Sequence, residues 1–414
     1  MKVLVIGSGG REHTLCWKLK QSEKVDKIYC APGNPGISEI AENIPYKVDD
    51  IENLVNFAIE NKIDLTIVGP EDPLSKGISD EFIKNNLKVF GPQQKPAQIE
   101  SSKKFAKEIM IAAGVPTAFY ESFDNLEDLE NYINEKGAPI VLKADGLAAG
   151  KGVFVCLTKE EAIDGARILF NEFSSEKVLA EQYLEGKEAS VFIASDGKKI
   201  VPLGSAHDYK RIFDNDEGAN TGGMGTVSPT PNITKEQEEW IIENVSKPVI
   251  EELNKQGMPF CGFLYAGLMI SPEGKIDVIE FNCRFGDPEA QSVLRRLDTD
   301  LFDILYSLSG GDLNLPEIKW KDDSCVCLVL ASKGYPQTSS KDDLITGLDH
   351  TNNEEVVVFH AGTKENNGKI FTNGGRVLNI TAMASNQKEA REKAYKALES
   401  IDFDGKQYRT DIAL

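Results

Sequence analysis

Lys143-Ala-Asp-Gly-Leu-Ala-Ala-Gly-Lys-Gly152 is the stretch on which the fold turns. An apolar run from Ala138 to Ala144 precedes it and another, Val153 to Cys156, follows, so these glycines join strand to strand rather than strand to helix. A Walker loop needs GxxxxGK followed by Ser or Thr and opens a helix; GLAAGKG does neither. A turn of glycines and alanines flanked by lysines can instead fold over a triphosphate, its N–H and ammonium groups facing the β and γ oxygens. Lys103 offers a further cation, although each lysine taken singly reads better as a solvated surface charge.

Working outward, SSKKFAKEIMIAAG from Ser101 reads as an amphipathic helix stopped by Gly114, and a helix from Thr158 to about Phe170 leads to a strand at Lys177 to Tyr183. Glu181-Gln-Tyr183-Leu184 ends that strand. A chain leaving a sheet there offers backbone groups to an adenine edge, while Glu188 beyond it can accept from ribose hydroxyls. Upstream, VLVI, KIYC, LTIVG and KVFG alternate with helical stretches in a parallel βαβ layout. Gly7, Gly9 and Gly10 follow the first strand directly and leave N–H groups facing an anion. Yet Glu12 stands where the dinucleotide fingerprint wants Gly or Ala, and Cys30-Ala-Pro-Gly33 where it wants an acid, so NAD fits poorly and a sugar phosphate better. Arg11 and Pro32-Gly-Asn34 add donors; Arg11 paired with Glu12 is the plainer alternative.

Downstream, Ala206 to Pro231 is polar, glycine-rich and aperiodic, which predicts a functional loop, mobile without ligand. A helix from Thr234 to about Gln256 precedes FCGFLYAGLMI and KIDVIEF, a hairpin across Ser271-Pro-Glu-Gly274. On the second of these strands Glu280 and Asn282 share a face, a carboxylate and an amide oxygen for one hard cation bound through phosphates, with Arg284 placed to meet a transferring phosphoryl group. An exposed strand end held by an ion pair is the bland counterpart. From about Leu313 a last unit has strands near Cys325, Val356 and Val377 and a closing helix, Gln387 to Ser400.

Composition narrows the classes. The 414 residues carry 46 basic and 66 acidic side chains, a net charge of -20 that opposes nucleic-acid binding, and no apolar run approaches a bilayer span. Seven cysteines, odd in number, and the short apolar start MKVLVIGSGGREH predict free thiols and a cytoplasmic location. Four scattered histidines offer no zinc spacing.

Taken in order, VLVIGSGGREH, APGNPG, LTIVGPEDPL, KVFGP, SKKF, KADGLAAGKGV, EQYLEGKEAS, NTGGMG, GFLYAGLMI, VIEFNCRFGDPE, FHAGT, TNGGRVL and YRTDI resemble the glycinamide ribonucleotide synthetase family of ATP-grasp ligases across nearly the whole chain. SAHDYKR and GANTGG are slightly varied forms of that family's loop. Many ATP-grasp enzymes carry an earlier metal-binding acid where this chain has Leu268. The resemblance implies an α/β and α+β multidomain fold: a Rossmann-like parallel-sheet domain (1–101), an ATP-grasp domain (102–312, with a lid subdomain 118–190 and a metal and catalytic subdomain 191–312) and a small C-terminal α+β domain (313–414). It implies ATP held by Lys103, Lys143, Gly146, Gly150, Lys151, Gly152, Glu181, Tyr183, Leu184 and Glu188, and Mg²⁺ or Mn²⁺ on Glu280 and Asn282. Arg284, Lys143 and Asp287 would be catalytic. Gly9, Gly10, Arg11, Asn34, Asn220, Gly222, Gly223, Arg284 and Arg376 would hold glycine and 5-phosphoribosylamine, joined through a glycyl phosphate in purine biosynthesis. A monomer or weak homodimer is the expected assembly, with no nucleic-acid or membrane partner. Another ATP-grasp ligase, a nicotinamide dehydrogenase and a non-catalytic nucleotide-binding regulator are the alternatives.

Overall fold

The computed structural model describes residues 1–147, 152–173, 175–348 and 353–414. The four apolar runs of the first hundred residues become strands and the short Glu42–Asn43 joins them: β1 (Lys2–Gly7), β2 (Lys27–Pro32), β3 (Glu42–Asn43), β4 (Leu65–Val68) and β5 (Val89–Phe90) form a parallel sheet ordered β3-β2-β1-β4-β5. Leu4 and Ile6 enter one apolar core, Val3 and Val5 the other, as a strand covered on both faces requires.

Past β1 the chain turns into the Gly10–Leu19 helix, and Glu12 closes that turn on itself. Gly9 N donates to Glu12 Oε2 at 2.7 Å, and Arg11 Nε donates to Oε1 at 2.6 Å. A Cβ on Gly7, whose φ is +132°, or on Gly69 would collide with this side chain. The glycines therefore make room for a carboxylate of the chain itself, at the helix end where a dinucleotide would place its pyrophosphate. The Arg11 side chain is buried, with Nη1 donating to Phe285 O at 3.0 Å.

A second sheet, β6 (Tyr120–Phe123), β7 (Ile140–Ala144), β8 (Val153–Cys156) and β9 (Val178–Gln182), runs antiparallel in the order β6-β9-β7-β8. Helices Leu126–Lys136 and Lys159–Asn171 cover it, and Leu129, Ile133, Leu142, Ala166 and Leu169 close a core of its own. Thr158 starts the second helix in a capping box with Glu161.

The remaining strands are β10 (Lys187–Asp196), β11 (Ile200–Asp208), β12 (Arg211–Phe213), β13 (Glu217–Asn220), β14 (Gly225–Ser228), β15 (Cys261–Ile270), β16 (Ile276–Asn282), β17 (Ser324–Ala331), β18 (Val356–His360), β19 (Thr363–Asn366), β20 (Lys369–Thr372) and β21 (Arg376–Ala384). Eight of them make one sheet, ordered β16-β15-β10-β11-β14-β17-β21-β18, which runs unbroken across residues 312 and 313 because β14 pairs with β11 on one side and β17 on the other.

Two segments differ from the sequence reading. Ala206 to Pro231 is not irregular: it completes β11, forms the β12-β13 hairpin and supplies β14. Its pairing partners lie at Cys325–Leu328, and the hairpin tip is tied to the chain end, with Thr410 N on Asp214 Oδ1 at 2.8 Å and Arg409 Nη1 on Asp216 Oδ1 at 2.7 Å. No local periodicity reports such distant bonds. The expected Thr234 to Gln256 helix comes as Lys235–Ile241, a wider π turn at Ile242–Ser246, and Lys247–Lys255, because Pro248 has no N–H for the regular ladder. The seven cysteines are free thiols. Among the described residues no helix is long and apolar enough to cross a membrane.

The first and last units meet at His13. His360 N donates to His13 Nδ1 at 2.8 Å, and Asn34 Nδ2 donates to Ser8 O at 2.8 Å and His360 O at 2.9 Å. Burial, then the neighbouring His360, pushes His13 down to about 3, and burial pushes His360 down to about 4. Unfolded imidazoles bind protons near about 6.5, so below that pH the unfolded chain takes up protons the folded one refuses, and stability falls as pH falls. His13→Gln should flatten the fall of unfolding free energy between about pH 6 and pH 4 by up to about 1.4 kcal/mol per pH unit. Identical slopes in wild type and variant would remove His13 as the cause.

Arg11→Ala strands the buried Glu12 carboxylate and should lower stability by about 3–5 kcal/mol. Melting temperature measured beside KM for each substrate checks this: an unchanged melting point with a higher KM for the amine alone would show a guanidinium that reaches substrate instead.

Candidate active site

The lysines singled out in the sequence converge on one carboxylate. Lys103 begins the Lys103–Ala112 helix, whose first turn is fixed by Asp145: Lys103 N donates to Asp145 Oδ1 at 2.6 Å, and Lys103 Nζ then reaches Gly146 O at 3.0 Å. Lys143 in β7 donates to Glu181 Oε2 at 3.0 Å and to Ile279 O at 3.2 Å. Lys210, which the sequence reading did not single out, follows β11 and pairs with Glu188 Oε2 at 2.7 Å. Burial raises the Glu280 carboxyl, but Lys210, Lys143, Lys103 and Arg284 around it bring it below its ordinary value.

Glu280 owes its place to β15. It lies opposite Gly267, beside a register shift, and a Cβ there would come within 3.2 Å of Glu280 Cγ. The glycine of GFLYAGLM thus leaves the room that the acid uses. Asn282, two positions on, accepts from Arg284 Nη2 at 3.0 Å and keeps a second lone pair on Oδ1. One carboxylate and one amide oxygen suit a hard divalent cation that takes its other ligands from phosphates and water, and the three lysines suit the phosphates. Among the described residues no group of three His, Cys, Asp or Glu gathers as a metal cage.

Arg284 is held from two sides. Its Nη2 lies 3.1 Å from Glu100 Oε1, and its Nε lies 3.5 Å from Glu71 Oε2. That Nε is buried and has no hydrogen-bond partner among the described residues. Burial pushes the Glu100 carboxyl up; Glu71, also penalised by burial, is brought down by Arg284 and Arg11.

Asp287 is the point where three parts of the chain meet. Its Oδ2 accepts from Arg11 N at 3.3 Å, its Oδ1 accepts from Gln291 at 2.8 Å and faces Arg376 Nη2 at 3.6 Å, and its carbonyl accepts from Arg376 Nη1 at 2.6 Å. Arg376 Nη1 also holds Gly222 O, and Gly222 N donates to the Tyr335 hydroxyl at 3.0 Å. Gly223 leaves space beside Asp208 and Pro288.

Sequence reasoning missed two acids next to this point, the half-buried Asp208 and the buried Glu289. Burial and then Glu289 push the Asp208 carboxyl well up, and Asp208 Oδ1 has no hydrogen-bond partner among the described residues. Their signals were present, since Asp208 and Lys210 sit in SAHDYKR and Glu289 ends GDPE. Glu71 likewise sits in LTIVGPEDPL, whereas Glu100 lies outside every quoted motif.

Of the other expected residues, Tyr183 and Leu184 are half-buried just past β9, and Asn220 ends β13. Asn34 caps the Pro35–Ser38 turn and joins β1 to β18, with both sides of its amide engaged. Gly9 and Gly10 face inward on Glu12, Asp287, Gln291 and Asn379. Gly152 O accepts from Ala144 N at 2.8 Å, whereas Gly150 and Lys151 lie outside the described residues.

Comparison with known proteins gives the same order of parts. Family models match the phosphoribosylglycinamide synthetase N domain at residues 1–100, its ATP-grasp (A) domain at 101–290 and its C domain at 325–414. A phosphoribosylamine-glycine ligase of Caldanaerobacter subterraneus subsp. tengcongensis is 47% identical over 417 residues, covering 100% of this chain and 99% of that one. One of Neisseria meningitidis serogroup A is 47% identical over 421 residues, with the same coverage of each chain, 100% and 99%. The crystal structure of a phosphoribosylamine-glycine ligase from Thermotoga maritima superposes with a TM-score of 0.84 at 33% identity, covering 100% of both chains. The biotin carboxylase domain of Hydrogenobacter thermophilus 2-oxoglutarate carboxylase, crystallised with magnesium ADP and bicarbonate, shares the fold at a TM-score of 0.76 and 18% identity, covering 98% of this chain and 91% of that one. With family models over all three segments and relatives alike end to end, the chain belongs to the phosphoribosylglycinamide synthetase family of ATP-grasp ligases.

Proposed function

We propose that this site joins glycine to 5-phosphoribosylamine through glycyl phosphate, with ATP converted to ADP and phosphate. The observation that carries the reading is the convergence of Lys103, Lys143 and Lys210 on Glu280, two residues from Asn282 and beside Arg284. A carboxylate does not acylate an amine unaided, so the glycine carboxylate first attacks the γ-phosphorus; the amine then attacks the activated carbonyl and phosphate leaves. Lys103 and Lys143 hold the phosphates, Glu181 to Leu184 offer backbone to adenine, and Glu188, oriented by Lys210, faces the ribose. Arg284 donates to the phosphoryl group as its charge spreads. Glu280 and Asn282 would hold magnesium or manganese, which would supply positive charge to the phosphates.

Asp287 positions Arg376 and the start of the Gly10–Leu19 helix, so that Gly222, Gly223 and the 1–101 unit close around the amine and glycine. The lid is the 118–190 unit, which excludes water while the acyl phosphate exists. Units 102–312 and 313–414 supply the rest.

Phosphate release from ATP, dependent on both glycine and freshly made 5-phosphoribosylamine, tests the reading; release with another acid or amine and none with this pair would place the chain elsewhere among the ligases. Glu280→Gln should cut kcat by about 100-fold or more at saturating magnesium while KM for ATP changes by less than about fivefold, because the lost charge acts on the transition state. Near wild-type turnover would remove Glu280 from the site.

A further inference from the structure

Lys107 is a lysine on the buried face of the Lys103–Ala112 helix, alongside Ala106, Ile109 and Met110. Its ammonium has three donors and three acceptors: Thr117 Oγ1 at 2.8 Å, Ala118 O at 3.2 Å and Glu181 Oε2 at 3.1 Å. The carboxylate oxygen it meets is the one that Lys143 meets at 3.0 Å. Thr117 in turn donates to Val278 O at 2.8 Å, which ties the same ammonium to β16 two residues before Glu280. Among the described residues Lys143 has two acceptors, Glu181 and Ile279 O, and a third N–H to offer.

We propose that Lys107 is a positioning residue for nucleotide binding: it keeps the Glu181 carboxylate paired, and the 181–184 segment in place, when Lys143 turns to the phosphates. The proposal rests on the nucleotide reading of Lys143 given above. Glu181 is buried between β6 and β7, so a carboxylate that lost its only cation there would be stranded without water. With Lys107 on the same oxygen, Lys143 can exchange one anion for another and the strand end that meets adenine stays where it is. Lys107 itself has no donor left for the substrate.

A double-mutant cycle separates this role from mere packing. Titration of each folded chain with magnesium ATP, beside steady-state kinetics, should show Lys107→Met binding about tenfold more weakly with kcat within about threefold of wild type. In the Glu181→Gln background no charge is left to strand, so K107M/E181Q should bind within about threefold of the Glu181→Gln single variant, whatever that variant's own affinity. Unchanged affinity in Lys107→Met, or an equal loss from Lys107→Met in both backgrounds, overturns the proposal. If Lys107→Met does not fold, the Glu181→Gln pair decides: a double variant within about threefold of Glu181→Gln supports the role, and weaker binding or failure to fold overturns it. A wild-type chain that binds magnesium ATP yet releases no phosphate with glycine and the amine would sink the ligation reading while leaving this cycle intact. Binding indifferent to Lys143→Met would sink the nucleotide reading on which both depend.

Discussion

Cations gathered at one place must be held there before any anion arrives, and the structure answers that constraint by pairing them with carboxylates. Lys143 has Glu181, Lys210 has Glu188, and Arg284 has Glu100 and Glu71. An unpaired charge in such a place costs several kcal/mol or gives up its proton. The pairs therefore hold these ammonium and guanidinium groups in place in the folded chain. Every element that carries a partner, from β9 to the Gln94–Ser101 helix, is fixed by this requirement.

The same logic explains why the units cannot be read as beads on a string. The eight-stranded sheet continues from β16 to β18, and Arg376 in β21 reaches back to Gly222 and Asp287 while Arg11 approaches Asp287 from the other side. A carboxylate held by groups from all three segments has one position only if all three are docked. Site geometry and interdomain packing are in this sense one structure, and the buried His13 and His360 contact belongs to it.

Features were legible in the sequence where the information is local. The β15-β16 hairpin, the strand-to-strand glycine turn and the shared face of Glu280 and Asn282 need only a period of two and a turn residue. The β12-β13-β14 segment was not legible, because Thr226 and Val227 pair with residues about one hundred positions away and the hairpin tip is held by Arg409 and Thr410. Glu12 was legible as a departure from the dinucleotide pattern, but that it fills the glycine turn with its own carboxylate appears only in three dimensions. Lys107 left a faint mark, a charge on the apolar face of an amphipathic helix, whose meaning depends on Glu181 arriving from a strand more than seventy residues on.

The net charge of -20 then becomes part of the argument rather than a curiosity. Acidic side chains outnumber basic ones over the whole chain, yet Lys103, Lys143, Lys210 and Arg284 gather around Glu280. Screening confines each field to about 8–10 Å in ordinary salt. A small polyanion that arrives there meets the cations at close range, whereas an extended one such as a nucleic acid must lie along an acidic surface to reach them. The physical consequence is that a compact anion is favoured over an extended one by where these few cations stand, in a chain whose charges are otherwise mostly acidic.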